Sequence, residues 1–310
     1  MHTSTKFRQL RAMDDAPKPV VTVVIPTYNR PASIRRCLDA LKQQILRSGT
    51  FEVIVVDDGS AVPLSLDPGE WASAFALRVI RQENSGPSGA RNRGVEGAQG
   101  EILAFTDDDC LPTPEWLKNL LSSLNEHSEA LVGGSTFNGL PNSLCAETSQ
   151  LIIEMVYEYF NSGAGGSYFL ASNNFACRRE AYLSSGGFDT DFPAPGAEDR
   201  EFCDRWRILN RPLIWVPSAL VEHRHVQTLR KFINLHYRYG RGAYLYQAKR
   251  RERNSGTMGD DIGFHRAFMG SISGKLSGYP VSRRLSIVGL LIVWQFANAV
   301  GFFRQAVATL

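Results

Sequence analysis

Residues 51–60 read FEVIVVDDGS: six residues typical of a buried strand are followed at once by two aspartates, a glycine and a serine. The same order returns at residues 102–109 (ILAFTDDD), where an apolar run ends in three aspartates. Residues 20–25 (VVTVVI) form a third β-branched run, which ends at Pro26. Short apolar runs of this kind are typical of strands buried on both faces of a parallel sheet. These three runs therefore predict the central strands of the fold.

Segments with helical spacing alternate with these strands. Pro31 suits the first position of a helix, and the apolar residues after it recur on one face: Ile34, Cys37, Leu38, Leu41 and Ile45. Residues 77–80 predict a further strand, and residues 86–98 and 112–124 predict two more helices. This alternation over the first half predicts an α/β fold: a mostly parallel sheet with helices on both faces, joined by right-handed crossovers.

The second half of the chain is less regular. It contains predicted strands at residues 168–177 and 213–216, predicted helices at 198–209 and 228–248, and a polar linker at 249–263. We therefore expect three parts: a flexible N-terminus at residues 1–19, an α/β domain at 20–225 and a helical C-terminal extension at 226–310.

The composition favours an ordinary globular protein. With 310 residues and 43% hydrophobic composition the chain can bury a sizeable core, and a 21% share of charged residues argues against disorder. The net charge of +3 is too small to predict nucleic-acid binding by itself. The five cysteines include no CxxC pair, which argues against a disulfide framework and a structural zinc site and fits a reducing compartment.

The two ends of the chain differ in their expected relation to a membrane. Residues 1–19 contain no apolar run, so we expect no secretory signal there. Residues 285–303 (LSIVGLLIVWQFANAVGFF) contain no charge, and a membrane-spanning helix needs roughly 20 apolar residues. Two interpretations stay open: a membrane-associated helix, or a helix buried against the protein or a partner. We expect a cytoplasmic protein, which lies at the cytoplasmic face of the membrane under the first interpretation.

Both acidic runs follow predicted strands, and ligands of parallel α/β sheets bind at the carboxyl ends of strands. Asp107, Asp108 and Asp109 repel one another, and Mg²⁺ or Mn²⁺ relieves that repulsion because both ions favour carboxylate oxygens. A nucleotide diphosphate would complete the shell of such an ion. The alternative is a solvated loop that caps the next helix. Asp57 and Asp58 likewise predict either a contact to a base or ribose, or an ordinary Asp-Gly turn.

Three further groups carry candidate chemistry. Glu198 and Asp199 begin a predicted helix, where they supply a general base or simply stabilise the helix N-terminus. His223 and His225 are potential metal ligands or ordinary histidines. Residues 84–94 (NSGPSGARNRG) can present backbone N–H groups and Arg91 to phosphate, but they match neither a P-loop nor a dinucleotide-binding fingerprint.

Five stretches, in the family's order, resemble the family 2 glycosyltransferases of the GT-A fold. They read VTVVIPTYNRP, FEVIVVDDGS, SGPSGARNRGVEGAQGEILAFTDDDCLPTPEWL, NNFACRREAYLSSGGFDTDF and GAEDREFCDRW, and they cover residues 20–225. The resemblance implies a Rossmann-like GT-A sheet flanked by helices, here with a C-terminal helical extension. It also implies inverting transfer of a sugar from a nucleoside-diphosphate sugar, commonly a UDP-sugar, with Mg²⁺ or Mn²⁺ as cofactor.

The resemblance also implies roles for matched positions. Asp199 would be the catalytic base, with Glu198 beside it. The implied metal ligands are Asp107, Asp109 and His223. The implied donor contacts, with Tyr28 stacking on the base, are Pro26, Thr27, Tyr28, Arg30, Asp57, Asp58, Arg91, Asp107 and Asp108. The donor-sugar or acceptor side would be lined by Asn173 and Asn174.

Two departures from the family pattern bear on these roles. The commoner acidic motif is Asp-Ala-Asp-Asp, whereas Thr106 precedes the aspartates here, so the metal register is open by one residue. The QxxRW motif of the processive synthases is absent from the sequence, so we expect single-sugar transfer of the kind used in polysaccharide biosynthesis. The expected partners are the donor, a glycan, lipid-linked or small-molecule acceptor, and a membrane surface, with no nucleic acid. A nucleotidyltransferase and a non-catalytic nucleotide- or sugar-binding subunit are the alternatives.

Overall fold

A computed structural model describes residues 18–163, 167–192, 195–225, 227–257 and 259–309. The flexible N-terminus predicted for residues 1–19 lies almost wholly outside the described residues. Within them, the strands are β1 (Val21–Thr27), β2 (Phe51–Asp57), β3 (Ala76–Arg81), β4 (Ile102–Thr106), β5 (Cys110–Pro112), β6 (Leu131–Asn138), β7 (Asn174–Arg178) and β8 (Leu213–His223). The helices are α1 (Pro31–Leu41), α2 (Gly86–Glu96), α3 (Trp116–Glu126), α4 (Leu144–Asn161), α5 (Arg179–Ser184), α6 (Glu198–Ile208), α7 (Leu229–Arg253), α8 (Gly259–Leu276) and α9 (Val281–Ala308).

The strands form one mixed sheet in the order β3-β2-β1-β4-β7-β6-β8-β5. The first four strands of that order are parallel, with Val23 of β1 opposite Val53 and Ala104, which confirms the predicted alternation of strands and helices. β7 runs antiparallel to β4 and β6, while β6 and β8 are parallel to each other. Because β2 and β4 point the same way, their acidic ends emerge at the same edge of the sheet.

Two apolar layers cover the parallel half of the sheet, because successive side chains of a strand point to opposite faces. On one face, Val23 and Val53 pack with α1 and α3 through Ile34, Cys37, Leu38, Leu41, Trp116, Leu117, Leu120 and Leu124. On the other face, Val24 and Ile54 pack with α2 and α6 through Ala90, Val95, Phe202, Cys203 and Trp206. With both faces covered, the strand ends are the part of this half that a ligand can reach.

The structure corrects four predicted boundaries. The helix predicted from residue 112 begins at Trp116, because Cys110–Pro112 pairs with β8 as strand β5. The strand predicted at 168–177 is confined to β7, and the one predicted at 213–216 extends as β8. The prediction of a polar linker at 249–263 is wrong. The helix α7 continues to Arg253, since lysine and arginine are good helix formers, and α8 begins at Gly259.

The helical extension builds a third apolar cluster with α4. Its members include Ile152 of α4, Phe232 of α7, Phe268 of α8 and Trp294 of α9. α9 contains the apolar segment at 285–303, and by length and composition it is able to cross a membrane. Its most apolar window is nevertheless 33% buried inside the protein, so α9 serves in part as a core helix.

Candidate functional site

A cleft of about 870 Å³ opens at the carboxyl ends of β1 and β4 and continues toward the helical extension. All but two of the predicted site residues line it: Pro26, Thr27, Tyr28, Arg30, Asp58, Arg91, Asp107, Asp108, Asp109, Asn173, Glu198, Asp199 and His223. The two that do not are Asp57 and Asn174. The structure therefore brings the end of β4, the start of α6 and the end of β8 into one site.

Asp109, His223 and His225 form a group that fits a divalent cation. Each offers one ligand atom, and these atoms lie within 4.8 Å of one another. The pairing of β5 with β8 explains the arrangement, because it sets Cys110 opposite His223 and lets the Arg224 N–H donate to the Asp109 carbonyl at 2.8 Å. The two imidazole rings lie with their centroids 5.4 Å apart. A carboxylate oxygen and two imidazole nitrogens are ordinary ligands of a divalent metal.

The protonation states of this group are set by burial and by mutual charge. Burial lowers the pKa of His225 to about 4, so its imidazole is neutral at pH 7 and able to bind a metal. Burial alone would raise the pKa of Asp109, but the charge and hydrogen bond of His223 and the charge of Arg30 hold that pKa below its usual value. Burial alone would lower the pKa of His223, yet Asp109, whose Oδ1 lies 3.4 Å from Nε2, raises it. A bound cation and a protonated His223 would therefore compete for the same carboxylate, that of Asp109.

Arg30 bridges two of the three aspartates that follow β4. Its Nη1 donates to Oδ1 of Asp108 at 3.0 Å and to Oδ2 of Asp109 at 2.8 Å. Asp108 also accepts a hydrogen bond of 2.7 Å from Oγ1 of Thr27. Burial raises the pKa of Asp108 to about 7, although the Arg30 guanidinium opposes that shift. Asp108 thus fixes the loop after β1 to the end of β4, while Arg30, whose side chain is 47% exposed, brings positive charge to the cleft.

Asp107 faces a different partner. Its Oδ1 accepts a hydrogen bond of 2.7 Å from Nη2 of the buried Arg91, and Nη1 of the same guanidinium lies 3.6 Å from Oε1 of Glu198. Arg91 therefore joins the end of β4 to the start of α6. In the part of the chain that the structure describes, Asp107 lies outside the group that could hold a cation. Its predicted metal role stays a prediction, and the geometry offers His225 in its place.

Glu198 and Asp199 begin α6 but differ in what they contact. Oε2 of Glu198 accepts a hydrogen bond of 2.7 Å from the Gly196 N–H, so the loop and Arg91 hold this carboxylate. Asp199 lines the cleft and accepts a hydrogen bond of 2.8 Å from the Arg200 N–H. Burial and the adjacent Glu198 charge raise the pKa of Asp199 to about 7. A carboxylate with that pKa takes up a proton readily near neutral pH, as a general base must.

The turn before α6 depends on unusual backbone angles. Gly196 has a φ of 152° and Ala197 a φ of 67°, and the second value is uncommon for a residue that carries a Cβ. A Cβ on Gly196 would also press against the Arg238 carbonyl oxygen of α7. The helical extension therefore packs directly behind the turn that aims Asp199 into the cleft.

Asp58 lines the cleft, but both of its carboxylate oxygens are already bonded. Oδ2 accepts a hydrogen bond of 3.0 Å from the Gly86 N–H, and Oδ1 accepts bonds of 2.9 Å from the Ser85 N–H and 2.7 Å from the Gln82 amide. The first N–H groups of a helix have no partner within the helix, so Asp58 caps α2 from a neighbouring strand. Its predicted contact to a base or ribose stays a prediction, and such a contact would share these oxygens.

The two predicted residues outside the cleft hold the fold together. Asp57 accepts hydrogen bonds from the loop after it and from β3, through the Ser60 and Leu64 N–H groups and Arg81. Asn174 is fully buried, and its amide bonds to three surrounding groups, the Trp116 indole and the carbonyls of Ser135 and Ala219. Asn173 differs: it lines the cleft, and among the described residues its Oδ1 has no hydrogen-bond partner. Of the two asparagines, Asn173 is the one a ligand can reach.

Two parts of the site lie beyond the predicted set. The sequence names His225 only as a potential metal ligand. The feature that indicates this role is the His-x-His spacing of His223 and His225, which puts both rings on one side of an extended chain. The other part is a pocket of about 570 Å³ beside Asp109 and His225, whose lining includes four cations: Arg30, Arg224, Lys231 and Arg238. The sequence feature that indicates this pocket is the basic start of α7, but a basic helix start by itself is equally typical of a solvated helix face.

Comparisons with known proteins indicate the family of the chain. Residues 22–183 match the family model for glycosyl transferase family 2. The pre-mycofactocin glycosyltransferase of Mycobacterium tuberculosis is 30% identical over 233 residues, which is 72% of this chain and 46% of the relative. Glycosyltransferase AglE of Haloferax volcanii is 37% identical over 126 residues, 40% of this chain and 41% of the relative. The chain thus matches less than half of the length of either relative.

Solved structures share the fold. Mannosyltransferase PcManGT from Pyrobaculum calidifontis, in complex with GDP-Man and Mn²⁺, has a TM-score of 0.60 at 20% identity and covers 98% of this chain and 92% of its own. TarS 1-349 from S. aureus, in complex with UDP, has a TM-score of 0.54 at 18% identity, covering 89% and 80%. These likenesses concern the fold alone, and they confirm the predicted GT-A architecture. Because the family model spans more than half of the sequence, the chain belongs to glycosyl transferase family 2.

Proposed function

We propose that the protein transfers a sugar from a nucleoside-diphosphate sugar to an acceptor hydroxyl, with inversion at the anomeric carbon. One observation carries this proposal: a group that fits a divalent cation and a carboxylate with a pKa of about 7 line the same cleft. The reaction needs both, because the diphosphate leaves with negative charge and the attacking hydroxyl must lose a proton.

The donor is proposed to lie across the carboxyl ends of β1 and β4. Tyr28 is 49% exposed in the cleft, so its ring offers an apolar face to a nucleobase. Arg30, Lys231 and Arg238 place positive charge beside the candidate cation site, where it would attract a diphosphate. The GDP-Man bound to PcManGT and the UDP bound to TarS support a nucleoside diphosphate as the ligand class.

Asp109, His223 and His225 are proposed to hold a divalent cation. When bound, the cation would supply positive charge that stabilises the departing diphosphate. The ligand set favours Mn²⁺ over Mg²⁺, since Mg²⁺ prefers oxygen ligands and two of the three groups here are imidazoles. The Mn²⁺ in the PcManGT complex supports the same choice.

Asp199 is proposed as the general base. As the acceptor oxygen bonds to the anomeric carbon, the bond between that carbon and the diphosphate oxygen breaks, and the hydroxyl proton passes to the Asp199 carboxylate. Attack from the face opposite the leaving group inverts the anomeric carbon. Glu198 is held by Gly196 and lies near Arg91, so it acts as a positioning residue whose charge raises the pKa of its neighbour.

Nucleotide binding tests the donor site. UDP, GDP and dTDP are titrated into the protein by calorimetry, each with and without Mn²⁺. One nucleotide is expected to bind, and Mn²⁺ is expected to strengthen that binding, because an ion held by Asp109, His223 and His225 would add positive charge beside the diphosphate. If a folded protein bound none of the three under either condition, the transferase proposal would be contradicted.

The substitution Asp199→Asn tests the chemical step. Removal of a general base is expected to lower kcat by about 10²–10⁴-fold while nucleotide affinity stays unchanged. In the wild type, kcat is expected to fall as the pH drops below about 7, because protonation then removes the base. The control is Asp204→Asn, which alters a buried carboxyl group of the same helix outside the cleft. Full activity of Asp199→Asn would remove this residue from the mechanism.

A further inference from the structure

We propose that the acceptor is lipid-linked, and that its hydrocarbon chain lies in the apolar half of the cleft between α4, α8 and α9. The inference rests on the proposed function, because it names the acceptor of the same reaction. The proposed occupant is a hydroxyl-bearing headgroup attached to a long hydrocarbon chain.

The part of the cleft that α4, α8 and α9 line, here called the channel, has mostly apolar walls. Its apolar lining comes from the helices around it: Ile152, Ile153, Val156, Phe160, Phe264, Trp294, Phe302 and Phe303. Among the residues that the structure describes, α4, α8 and α9 contribute no Asp, Glu, Lys or Arg to this lining, and apolar side chains outnumber the polar ones, which are Ser149, Gln150, His265, Gln295 and Asn298. A glycan needs hydrogen-bonding partners along its whole length, whereas a hydrocarbon chain needs apolar area. The walls of the channel therefore fit a hydrocarbon chain.

The channel opens beside an exposed apolar side of α9. Phe303 lines the channel and is 66% exposed. Exposed large apolar residues recur along the same helix at intervals of seven and four: Leu285, Ile292, Phe296, Phe303 and Val307. This spacing places them on one side of α9 over about 33 Å. Because Phe303 belongs both to this side and to the channel lining, the two apolar surfaces are continuous.

His236 provides an independent sign of a ligand in the channel. It lines the cleft, is 2% exposed, and neither ring nitrogen has a hydrogen-bond partner among the described residues. The ring packs edge-on against Phe232, Tyr239 and Trp294, whose ring centroids lie 4.4 Å, 5.6 Å and 6.3 Å away. A buried polar group without a partner is costly, which points to a ligand that supplies one. A neutral imidazole donates one hydrogen bond and accepts one, so it suits a headgroup hydroxyl.

The dependence of affinity on chain length tests this acceptor class. Hexyl, octyl and decyl β-D-glucoside, each below its micelle-forming concentration, are titrated into the full chain saturated with nucleotide and Mn²⁺. Affinity is expected to rise by up to about fourfold for each added methylene, because each one buries apolar surface. Affinity that does not change with chain length overturns the proposal. Affinity that grows instead with the number of sugars in maltose oligomers assigns the channel to a glycan and overturns it equally.

Two alanines of α9 give a matched pair of variants. Both are exposed, but Ala299 lines the channel, whereas Ala308 lies outside it on the same helix. Ala299→Trp is expected to weaken decyl glucoside binding by at least about tenfold, because the indole occupies the space of the chain. Ala308→Trp should leave the affinity unchanged. Equal affinities in the two variants would assign the binding to the surface of the helix and overturn the proposal.

Two exposed phenylalanines give a second pair that does not depend on steric blocking. Phe303 lines the channel, whereas Phe296, which is 72% exposed, lies outside it. Weaker binding in Phe303→Ala but not in Phe296→Ala supports the proposal, and the same result in both variants contradicts it. Nucleotide binding with Mn²⁺ is measured first in every variant. Its absence from the wild type would count against the proposed function, whereas its presence without any chain-length effect would count against the lipid-linked acceptor alone.

Discussion

The ends of β2 and β4 carry similar acidic sequences, but the folded protein uses them differently. After β2, four backbone N–H groups donate to the two carboxylates, those of Ser60, Leu64, Ser85 and Gly86. After β4, the three carboxylates face charged or titratable side chains, those of Arg30, Arg91 and His223. The hydrogen-bond donors around the acids, rather than the number of acids, therefore distinguish carboxylates that anchor the fold from carboxylates that can bind a ligand.

Sheet topology produces this difference. The short strand β5 pairs with β8 at the edge of the sheet, and this pairing carries His223 to the side of Asp109. β2 has β3 as its outer neighbour, and the last residue of β3, Arg81, pairs with Asp57. A carboxylate surrounded by backbone N–H groups has partners that cannot leave. A carboxylate beside charged side chains in a cleft can exchange them for a cation.

Asp109→Ala removes a proposed metal ligand at the end of β4, and it has the largest expected effect of the three substitutions at these strand ends. The gain in nucleotide affinity that Mn²⁺ provides is expected to fall by more than about 100-fold, since loss of even an outer-shell partner of a metal ligand costs 10–100-fold. Calorimetry with and without Mn²⁺ measures this gain. The matched control is Asp57→Asn, at a strand end outside the cleft. An unchanged Mn²⁺ effect in Asp109→Ala would move the metal assignment toward Asp107.

The contrast between the two strand ends also shows how far sequence patterns reach. The β-branched runs at 20–25 and 51–56 predict β1 and β2 to within two residues, because strands buried on both faces need continuous apolar side chains. β5 and the far end of β8 were missed, since they form by pairing residues that are distant in sequence. The linker at 249–263 was wrong because a high density of charge predicts exposure to water, which is compatible with a helix.

The candidate site was predictable only in part, for similar reasons. A pattern places Glu198 and Asp199 at a helix start, but the Gly196 N–H that ties down Glu198 depends on a backbone turn that no pattern shows. The family motif includes Asn174, which the fold uses to bind three neighbouring groups. The apolar half of the cleft has no local signal, because its walls come from helices that are separated in sequence.

Asp58→Ala tests whether the acids at the end of β2 anchor the fold. The free energy of unfolding is expected to fall by about 2–4 kcal/mol, because the buried Gly86 N–H loses its acceptor at about 1–3 kcal/mol and the partly buried Ser85 N–H loses its acceptor at a smaller cost. Urea unfolding measures the change, and Asp67→Ala, which removes an acceptor from an exposed turn, is the control. If stability were unchanged but nucleotide binding were lost, Asp58 would be a donor contact rather than an anchor.

Asp57→Asn is expected to lower the free energy of unfolding less than Asp58→Ala does. The amide retains one acceptor oxygen, so it can serve the Ser60 N–H or the Leu64 N–H, but not both. A loss of about 1–2 kcal/mol in the free energy of unfolding is expected at pH 7. Arg81 contributes little of this, because its side chain is 44% exposed and solvent screens the ion pair.

The pH dependence of this variant separates charge from hydrogen bonding at the β2 strand end. Burial alone would raise the pKa of Asp57, but hydrogen bonds from Ser60, Leu64 and Arg81 bring it below its usual value. A carboxyl group whose pKa is lower in the folded than in the unfolded state stabilises the fold above its unfolded pKa, and this contribution is lost as the pH falls through the folded pKa. The difference between wild type and Asp57→Asn in urea unfolding is therefore expected at pH 7 and should shrink below about pH 4. A difference that does not decrease as the pH falls below about 4 would mean that the geometry of the acceptor, rather than its charge, anchors the end of β2.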